Sequence, residues 1–437
     1  MHATPNDQES EPRSLGPFIT IFAGQTFSLL GSRLVQFALV WWLTRETGSA
    51  TVLAFASMMA LLPQVLLGPF AGALTDRWSR RVVMIVADGT IALLTLGLAG
   101  LYAAGRVEVW HVYVLMALRS TAGTFQWAAM QASTTLLVPK RHLSRVGGLN
   151  STLSGLALIV APALGALLME WLPMQGIVAI DVATAIPAIA PLLFIHIPQP
   201  KKHSVGAGKE TKEGLASVLH DLREGLAFVS GWPALLIAIV MGMVINMLAA
   251  PAMSLMPLLV KDYFGGGAME LAQIEAMVGI GMVAGGLTLS VWGGTRRRIV
   301  TALGALAIRG FAQVALGMTP ASAFLLAVAL AFLMNYMSPM VDGILMAVLQ
   351  ATIPPGMQGR VFALVMSGFA AAMPLGLAIA GPVADALGLQ VWYLISGCAT
   401  AAVAAAGFFL PALMHLEDGQ PLKQKDPSAA RKLTAEG

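Results

Sequence analysis

The side chains of this 437-residue chain that could do chemistry are ionisable and amide groups set inside long apolar runs. Arg119 lies about ten residues into the run 110–137 and shares a helical face with Gly123, Gln126, Met130 and Ser133 or Thr134. Gln25, Ser28, Ser32, Arg33 and Gln36 form a comparable stripe in the run 18–43, and Asn335, Ser338, Asp342 and Met346 recur at helical spacing in the run 321–351. Asp181, Asn246 and Arg309 are further polar positions inside runs. An ionisable group at the centre of a bilayer costs about 2.5 to 3.5 kcal/mol on insertion scales, so these stripes need an environment that offsets it. Two readings are open: hydrogen-bonding glue between helices, or the wall of a water-filled cavity, which is preferred. Asp342 and Asp181 could each bind a proton reversibly if desolvation raised the carboxyl pKa, and Asp342 is preferred. Asp88 sits about two turns from a basic loop and is read as a structural partner for Arg80 or Arg145.

Other chemistry is not supported. No histidine falls in the middle of a run, which argues against a histidine relay or a buried histidine-ligated metal. Gly279-Ile-Gly281-Met-Val-Ala284 fits a dinucleotide-binding pattern only formally, because no strand precedes it; small-residue helix packing through Gly281 and Gly285 is the better reading. Gly208-Lys209-Glu210-Thr211 lacks the earlier glycine of a phosphate loop and the hydroxyl directly after the lysine, so no ATP hydrolysis is expected. An enzyme would want His, Asp or Glu clustered near one membrane face, and no such set is present. The chain is read as a non-enzyme without cofactor or metal.

The elements that must position these residues are transmembrane helices. Hydrophobic residues make up 57% and charged residues 11%, and the mean hydropathy is +0.77, too apolar for a soluble globule. Runs long enough to cross a bilayer fall near 18–43, 51–74, 82–104, 110–137, 146–169 and 175–197, and again near 232–260, 272–292, 299–318, 321–351, 361–386 and 390–414. With the N-terminus inside, Arg45, Arg106 and Lys261 are the basic residues outside and Arg33, Arg119 and Arg309 those within runs; the other 20 of 26 fall inside. The formal charge of +4 therefore reports topology, not nucleic-acid binding. Trp41, Trp42, Trp110, Trp171 and Trp392 near outer ends, and Trp78, Trp232 and Trp292 near inner ends, suit headgroup anchors. Cys398 is the single cysteine, so no internal disulfide is possible. Residues before the first run carry Asp7, Glu9 and Glu11 and no basic n-region, so that run is read as a retained helix.

The expected organisation is an all-α integral membrane protein of twelve helices in two pseudo-symmetric six-helix bundles, with both termini cytoplasmic. Residues 1–17 form a tail, 18–197 and 232–414 the two halves, and 415–437 a second tail. Residues 198–231 form a cytoplasmic linker whose Leu215, Val218, Leu219, Leu222, Leu226 and Val229 line one face of an interfacial helix. The halves echo one another: Gln131-Ala132, Pro139 and Arg145-Val146 return as Gln350-Ala351, Pro354 and Arg360-Val361. Each copy then leads into a run with a proline and a nearby glycine, Pro162 with Gly165 and Pro374 with Gly376. The loop between the second and third runs reads Gly72-Ala-Leu-Thr-Asp76-Arg77-Trp-Ser-Arg80-Arg81. There Gly72 would allow close helix approach and Asp76 would pair with a neighbouring arginine as a cytoplasmic latch.

In these features the chain resembles the major facilitator superfamily, and within it the macrolide-efflux and siderophore-exporter-like proteins, over nearly all of residues 17 to 415. Gly72, Asp76, Arg77, Arg80 and Arg81 match the superfamily's loop motif. Arg119 and Gly123 match its fourth-helix motif, though Ala122 replaces the usual glutamine. Pro162 with Gly165 is similar to the antiporter motif of the fifth helix, with Ala161 where glycine is usual. Gly24-Gln25, Gly31-Ser32, Phe37-Ala38-Leu39, Leu118-Arg119-Ser120, Leu137-Val138-Pro139 and Ala179-Ile180-Asp181 point to the subgroup. The resemblance implies alternating access, a small-molecule substrate bound between the halves, efflux, and the proton gradient as energy source. It places the chain in the inner cell membrane, in contact with lipid and protons and not with nucleic acid, and a monomer is expected. The alternatives weighed are export of a siderophore or another endogenous metabolite and, from a different class, a membrane receptor or membrane-embedded enzyme.

Overall fold

A computed structural model describes residues 15–195, 197 and 223–418. Among them there is no strand, and twelve helices of 21 or more residues dominate: α1 (Gly16–Thr47), α2 (Ala50–Arg77), α3 (Arg80–Ala103), α4 (Val109–Leu137), α5 (Leu143–Trp171), α6 (Met174–Phe194), α7 (Pro233–Leu258), α8 (Ala268–Trp292), α9 (Arg298–Met318), α10 (Phe324–Thr352), α11 (Pro355–Leu387) and α12 (Leu389–Phe409). Helices are what apolar segments form in lipid, because every backbone N–H must be satisfied within the segment. The breaks follow local chemistry. Gly48 ends α1 with φ 57°, where a side chain would be strained. Ser49 then starts α2 by accepting the Val52 N–H at 3.3 Å.

Eleven of the twelve are long and apolar enough to cross a membrane. The other is α4, which dilutes its apolar residues with Arg119, Ser120, Thr121, Thr124 and Gln126. Expected and observed ends agree within four residues except at α12, which ends at Phe409, five residues before the expected end, and at α11, which begins at Pro355, six residues before the expected start. Pro354 and Pro355 suit a helix N-terminus because the missing N–H is one the helix leaves unpaired anyway. Of the expected interfacial helix, 223–230 is helical; residues 215–222 lie outside the described residues. Trp78, Trp110, Trp171 and Trp292 are exposed, as interfacial anchors should be, but Trp41, Trp232 and Trp392 are buried core residues.

Packing repeats along the chain. Helix α1 packs on α5 and α6, α2 on α4, and α3 on α4 and α6. Adding six to each number gives further pairs that also pack: α7 on α11 and α12, α8 on α10, and α9 on α10 and α12. The two sets meet where α2 packs on α11 and α5 on α8.

The cores show how the sets are joined. At the end holding the α1–α2 turn, residues from both sets, among them Leu43, Leu53, Leu255, Leu271, Ala384 and Trp392, form one buried cluster. Separate clusters form elsewhere, among them one drawing on Phe18, Met84, Leu137 and Leu192 and another on Leu235, Leu303, Val348 and Val361. The sets are thus fused at one end and separate at the other. Small residues make the close contacts. Gly281 lies against Phe332 backbone and Gly285 against that of Tyr336, so the glycine run in α8 packs helices as expected.

Candidate functional site

A cavity of about 650 Å³ is lined by residues of α1 to α4, among them Gln25, Ser32, Arg33, Gln36, Gln64, Asp88, Arg119, Gln126 and Trp127. Its polar residues form two tiers. In the first, Gln126 donates to the Gln25 side-chain oxygen, and Gln25 Nε2 donates to Asp88 Oδ2 at 2.8 Å. In the second, Arg119 forms an ion pair with Asp181. Asp181 also accepts from Ser32 Oγ at 2.8 Å and from Thr95 Oγ1 at 3.0 Å, while Arg119 donates to Thr95 Oγ1 at 2.6 Å.

Each of three helices feeds both tiers with residues seven apart: Gln25 and Ser32 on α1, Asp88 and Thr95 on α3, and Arg119 and Gln126 on α4. Seven residues are nearly two turns, so each pair shares a face and the tiers stand about 10 Å apart along the helices. The second tier is electrically closed, because the guanidinium of Arg119 offsets Asp181. The first is a carboxylate held by a neutral amide. Arg33 adds a second charge to the wall, and among the described residues it has no ion pair and its buried Nε no hydrogen-bond partner. Beside the polar groups stand Leu29, Ala60, Ile91, Met116 and Trp127, so the cavity offers an apolar surface with isolated polar anchors, the usual make-up of a small-molecule site.

Six sequence candidates, Gln25, Ser32, Arg33, Gln36, Arg119 and Gln126, therefore meet on one wall. Asp181 is 1% exposed and is the counter-charge of Arg119. Asn246 and Asn335 donate to the carbonyls of Gly242 and Ala331, one turn back in α7 and α10, each at 2.9 Å. Asp342 is exposed on α10, within electrostatic reach of Arg309. No hydrogen bond among the described residues joins these three to either tier.

Asp88 corrects the sequence reading. It was expected to pair with Arg80 or Arg145; it bonds instead to Gln25 and lines the cavity. The seven-residue spacing of Asp88 and Thr95, matching that of Gln25 and Ser32, was the signal available for it. Gln64 and Trp127 carried no periodic signal.

The expected loop and packing residues divide. Arg80 Nη1 donates to the Ala132 carbonyl at 2.8 Å, and Arg81 Nη2 to the Leu193 carbonyl at 2.5 Å, tying the start of α3 to the ends of α4 and α6. Arg77 is exposed, and the Asp76 side chain lies outside the described residues. A Cβ on Gly72 or Gly123 would meet nothing within 4 Å, and both line the cavity. Both leave space, and at Gly72 close packing was expected. Gly165 does pack, since a Cβ there would lie 2.7 Å from the Phe37 ring, and α5 runs unbroken through Pro162. Among the described residues no group of three or more His, Cys, Asp or Glu side chains could hold a metal ion.

The sequence profile of the Major Facilitator Superfamily matches residues 21–312. The chain is 33% identical to macrolide efflux protein A of Streptococcus pyogenes over 382 residues, 87% of this chain and 92% of that protein. It is 28% identical to the multidrug efflux pump Tap of Mycolicibacterium fortuitum, over 92% of this chain and 97% of the pump. Among solved structures, a bacterial homologue of the human lysosomal transporter Spinster, inward-facing and unoccupied, superposes with a TM-score of 0.71 at 13% identity, covering 93% of this chain and 98% of that one.

Proposed function

Because the chain belongs to the Major Facilitator Superfamily, we propose that it is a secondary active exporter of drug-like or natural-product small molecules, macrolide-like amphipathic compounds, that exchanges substrate for protons by alternating access. The observation that carries this reading is the cavity walled by α1 to α4, with apolar surface and separated polar anchors. The extended similarity to macrolide and multidrug efflux proteins supports efflux as the direction.

In this reading α4 crosses the membrane with the other eleven helices. Its polar residues turn toward the cavity and the second tier, where Arg119 is offset by Asp181, so their cost in lipid does not arise. Twelve spans put both termini in the cytoplasm of a multi-pass inner-membrane protein acting as a monomer, with halves at 18–197 and 232–414 joined by the linker 198–231. The separated ends then face the cytoplasm, which makes this the inward-open state. The loop from Gly72 to Arg81 closes that side when the halves rock over. Asp342, exposed and beside Arg309, remains the carboxyl proposed to carry the proton.

Expression in an efflux-deficient host tests the proposal. Accumulation of amphipathic compounds, macrolides among them, falls below that of the empty-vector control, and a proton uncoupler restores it. Unchanged accumulation across a broad panel defeats the reading.

A further inference from the structure

The loop from α8 to α9 is pinned by its own backbone and hydroxyls. Gly293 and Gly294 both take positive φ, 71° and 88°, where a side chain would be strained. Thr295 N–H donates to Thr301 Oγ1 at 2.9 Å, and Thr295 Oγ1 donates to the Arg297 carbonyl at 2.7 Å. A Cβ on Gly294 would lie 3.5 Å from Ile344 of α10, so the loop also rests on a neighbouring helix. The Ile299 N–H at the start of α9 is taken by Glu417 at 2.5 Å.

This leaves the guanidinium groups free. Arg296, Arg297 and Arg298 are exposed, and none has an ion pair or a side-chain hydrogen bond among the described residues. The matching loop of the first helix set differs, because Arg80 and Arg81 are engaged by the carbonyls of Ala132 and Leu193. Topology asks only for basic charge near a helix end; it does not ask for three unengaged guanidiniums on a loop held this firmly. Guanidinium groups match phosphate, whose oxygens accept their paired N–H donors.

An apolar face runs up to the same loop. Leu287 and Val291, one turn apart near the end of α8, are 64% and 91% exposed, and the terminal Trp292 is 52% exposed. Open aliphatic side chains on a membrane-spanning helix lie against acyl chains, and an indole at the helix end lies at headgroup level. Three free cations directly beyond an open apolar face suit one molecule with an anionic head and an acyl tail.

We propose that Arg296, Arg297 and Arg298 bind the phosphate of an anionic phospholipid whose acyl chain lies along Leu287 and Val291. A zwitterionic phospholipid brings its own ammonium, which the three guanidiniums repel, so the site selects lipids of net negative charge. It stands on α8 and α9, which contribute nothing to the cavity walled by α1 to α4, and it does not depend on the exporter reading.

The test uses the full chain with Cys398→Ala and Val291→Cys, labelled with bimane at the new thiol, in phosphatidylcholine nanodiscs. A minor fraction of the lipid is replaced by spin-labelled phosphatidylglycerol or by spin-labelled phosphatidylcholine, and quenching gives their relative binding constants at this position. Phosphatidylglycerol should be preferred about fivefold or more, the effect of one basic residue at an anionic surface. Changing all three residues, Arg296→Gln, Arg297→Gln and Arg298→Gln, should bring the ratio close to one. The same label on Leu325→Cys, exposed at the start of α10, should report no preference, and soluble glycerol phosphate should leave the Val291 ratio unchanged. A ratio near one at Val291, an equal preference at Leu325, a preference that survives the triple variant, or its loss to glycerol phosphate overturns the proposal. The comparison of Val291 with Leu325 decides the matter even if the triple variant fails to fold.

Discussion

Asp385, near the end of α11, accepts the backbone N–H of Ala50, in the first turn of α2, at 2.7 Å. The same carboxylate accepts from Thr51 N–H and Ser49 Oγ, each at 2.9 Å. A side chain of one helix set thus caps a helix of the other, with its charge at the positive end of the α2 dipole. Close packing accompanies the cap: a Cβ on Gly381, one turn earlier, would lie 2.7 Å from Thr51 Cα. Ser57 and Ser254 hydroxyls meet at 2.6 Å just below. This is the clasp that holds the fused end shut.

Opening that clasp should be part of the transport cycle. Cysteines at Ser57 and Ser254, with Cys398→Ala to remove the native thiol, should cross-link readily and reduce transport to background until reduced. Adding Asp385→Ala should slow cross-linking about fivefold, since losing a helix cap of this kind costs about 1 kcal/mol. Transport that persists in the fully cross-linked protein contradicts the clasp.

The second tier predicts a stability effect as well as a functional one. Arg119→Ala leaves Asp181 buried without its counter-charge, at a cost of about 3 to 5 kcal/mol. The variant should therefore lose thermal stability as well as transport. Arg119→Gln combined with Asp181→Asn removes both charges and should melt closer to wild type than either single variant. Unfolding temperatures of the purified variants check this; a fully stable Arg119→Ala protein would rule out the closed tier.

Glycines of similar sequence context should respond in opposite ways. A Cβ on Gly24 would overlap the Pro187 backbone, and one on Gly376 the Met247 backbone. Gly24→Ala and Gly376→Ala should each cost about 1 to 3 kcal/mol through overpacking. Gly72→Ala and Gly123→Ala meet open space and should leave thermal stability unchanged, any effect appearing in transport alone.

Asp342→Asn should leave the fold intact, because the residue is exposed on α10 and no hydrogen bond among the described residues depends on it. If Asp342 carries the proton, the variant keeps downhill substrate equilibration and loses proton-driven accumulation. Full proton-driven transport by Asp342→Asn would transfer that role to another carboxyl.

Much of the fold was legible because its signals are long. Some twenty apolar residues between charged loops mark a helix whatever it packs against, and the Pro354 echo of Pro139 foreshadowed packing that repeats with a step of six. The stripes on α1 and α4 identified residues that do share a wall. Partners were not legible, because they are set by how helices rotate against one another. Arg119 and Asp181 are 62 residues apart, and nothing local to either announces the pair. Asp88 was read from the nearest basic loop, whereas its helix turns it toward Gln25. Gly72 was read as a close helix contact from its loop motif, and the structure puts it, like Gly123, beside empty volume. Trp41, Trp232 and Trp392 sit at helix ends, as anchors do, but face inward.

Export against a gradient in exchange for protons is read directly as transport in proteoliposomes with an imposed pH gradient. With the lumen acidic and the cavity-open side of the protein facing outward, a radiolabelled macrolide should accumulate inside above its external concentration. The accumulation should collapse when the gradient is dissipated. Accumulation no higher than in protein-free liposomes, or uptake indifferent to the pH gradient, would rule out proton-driven export.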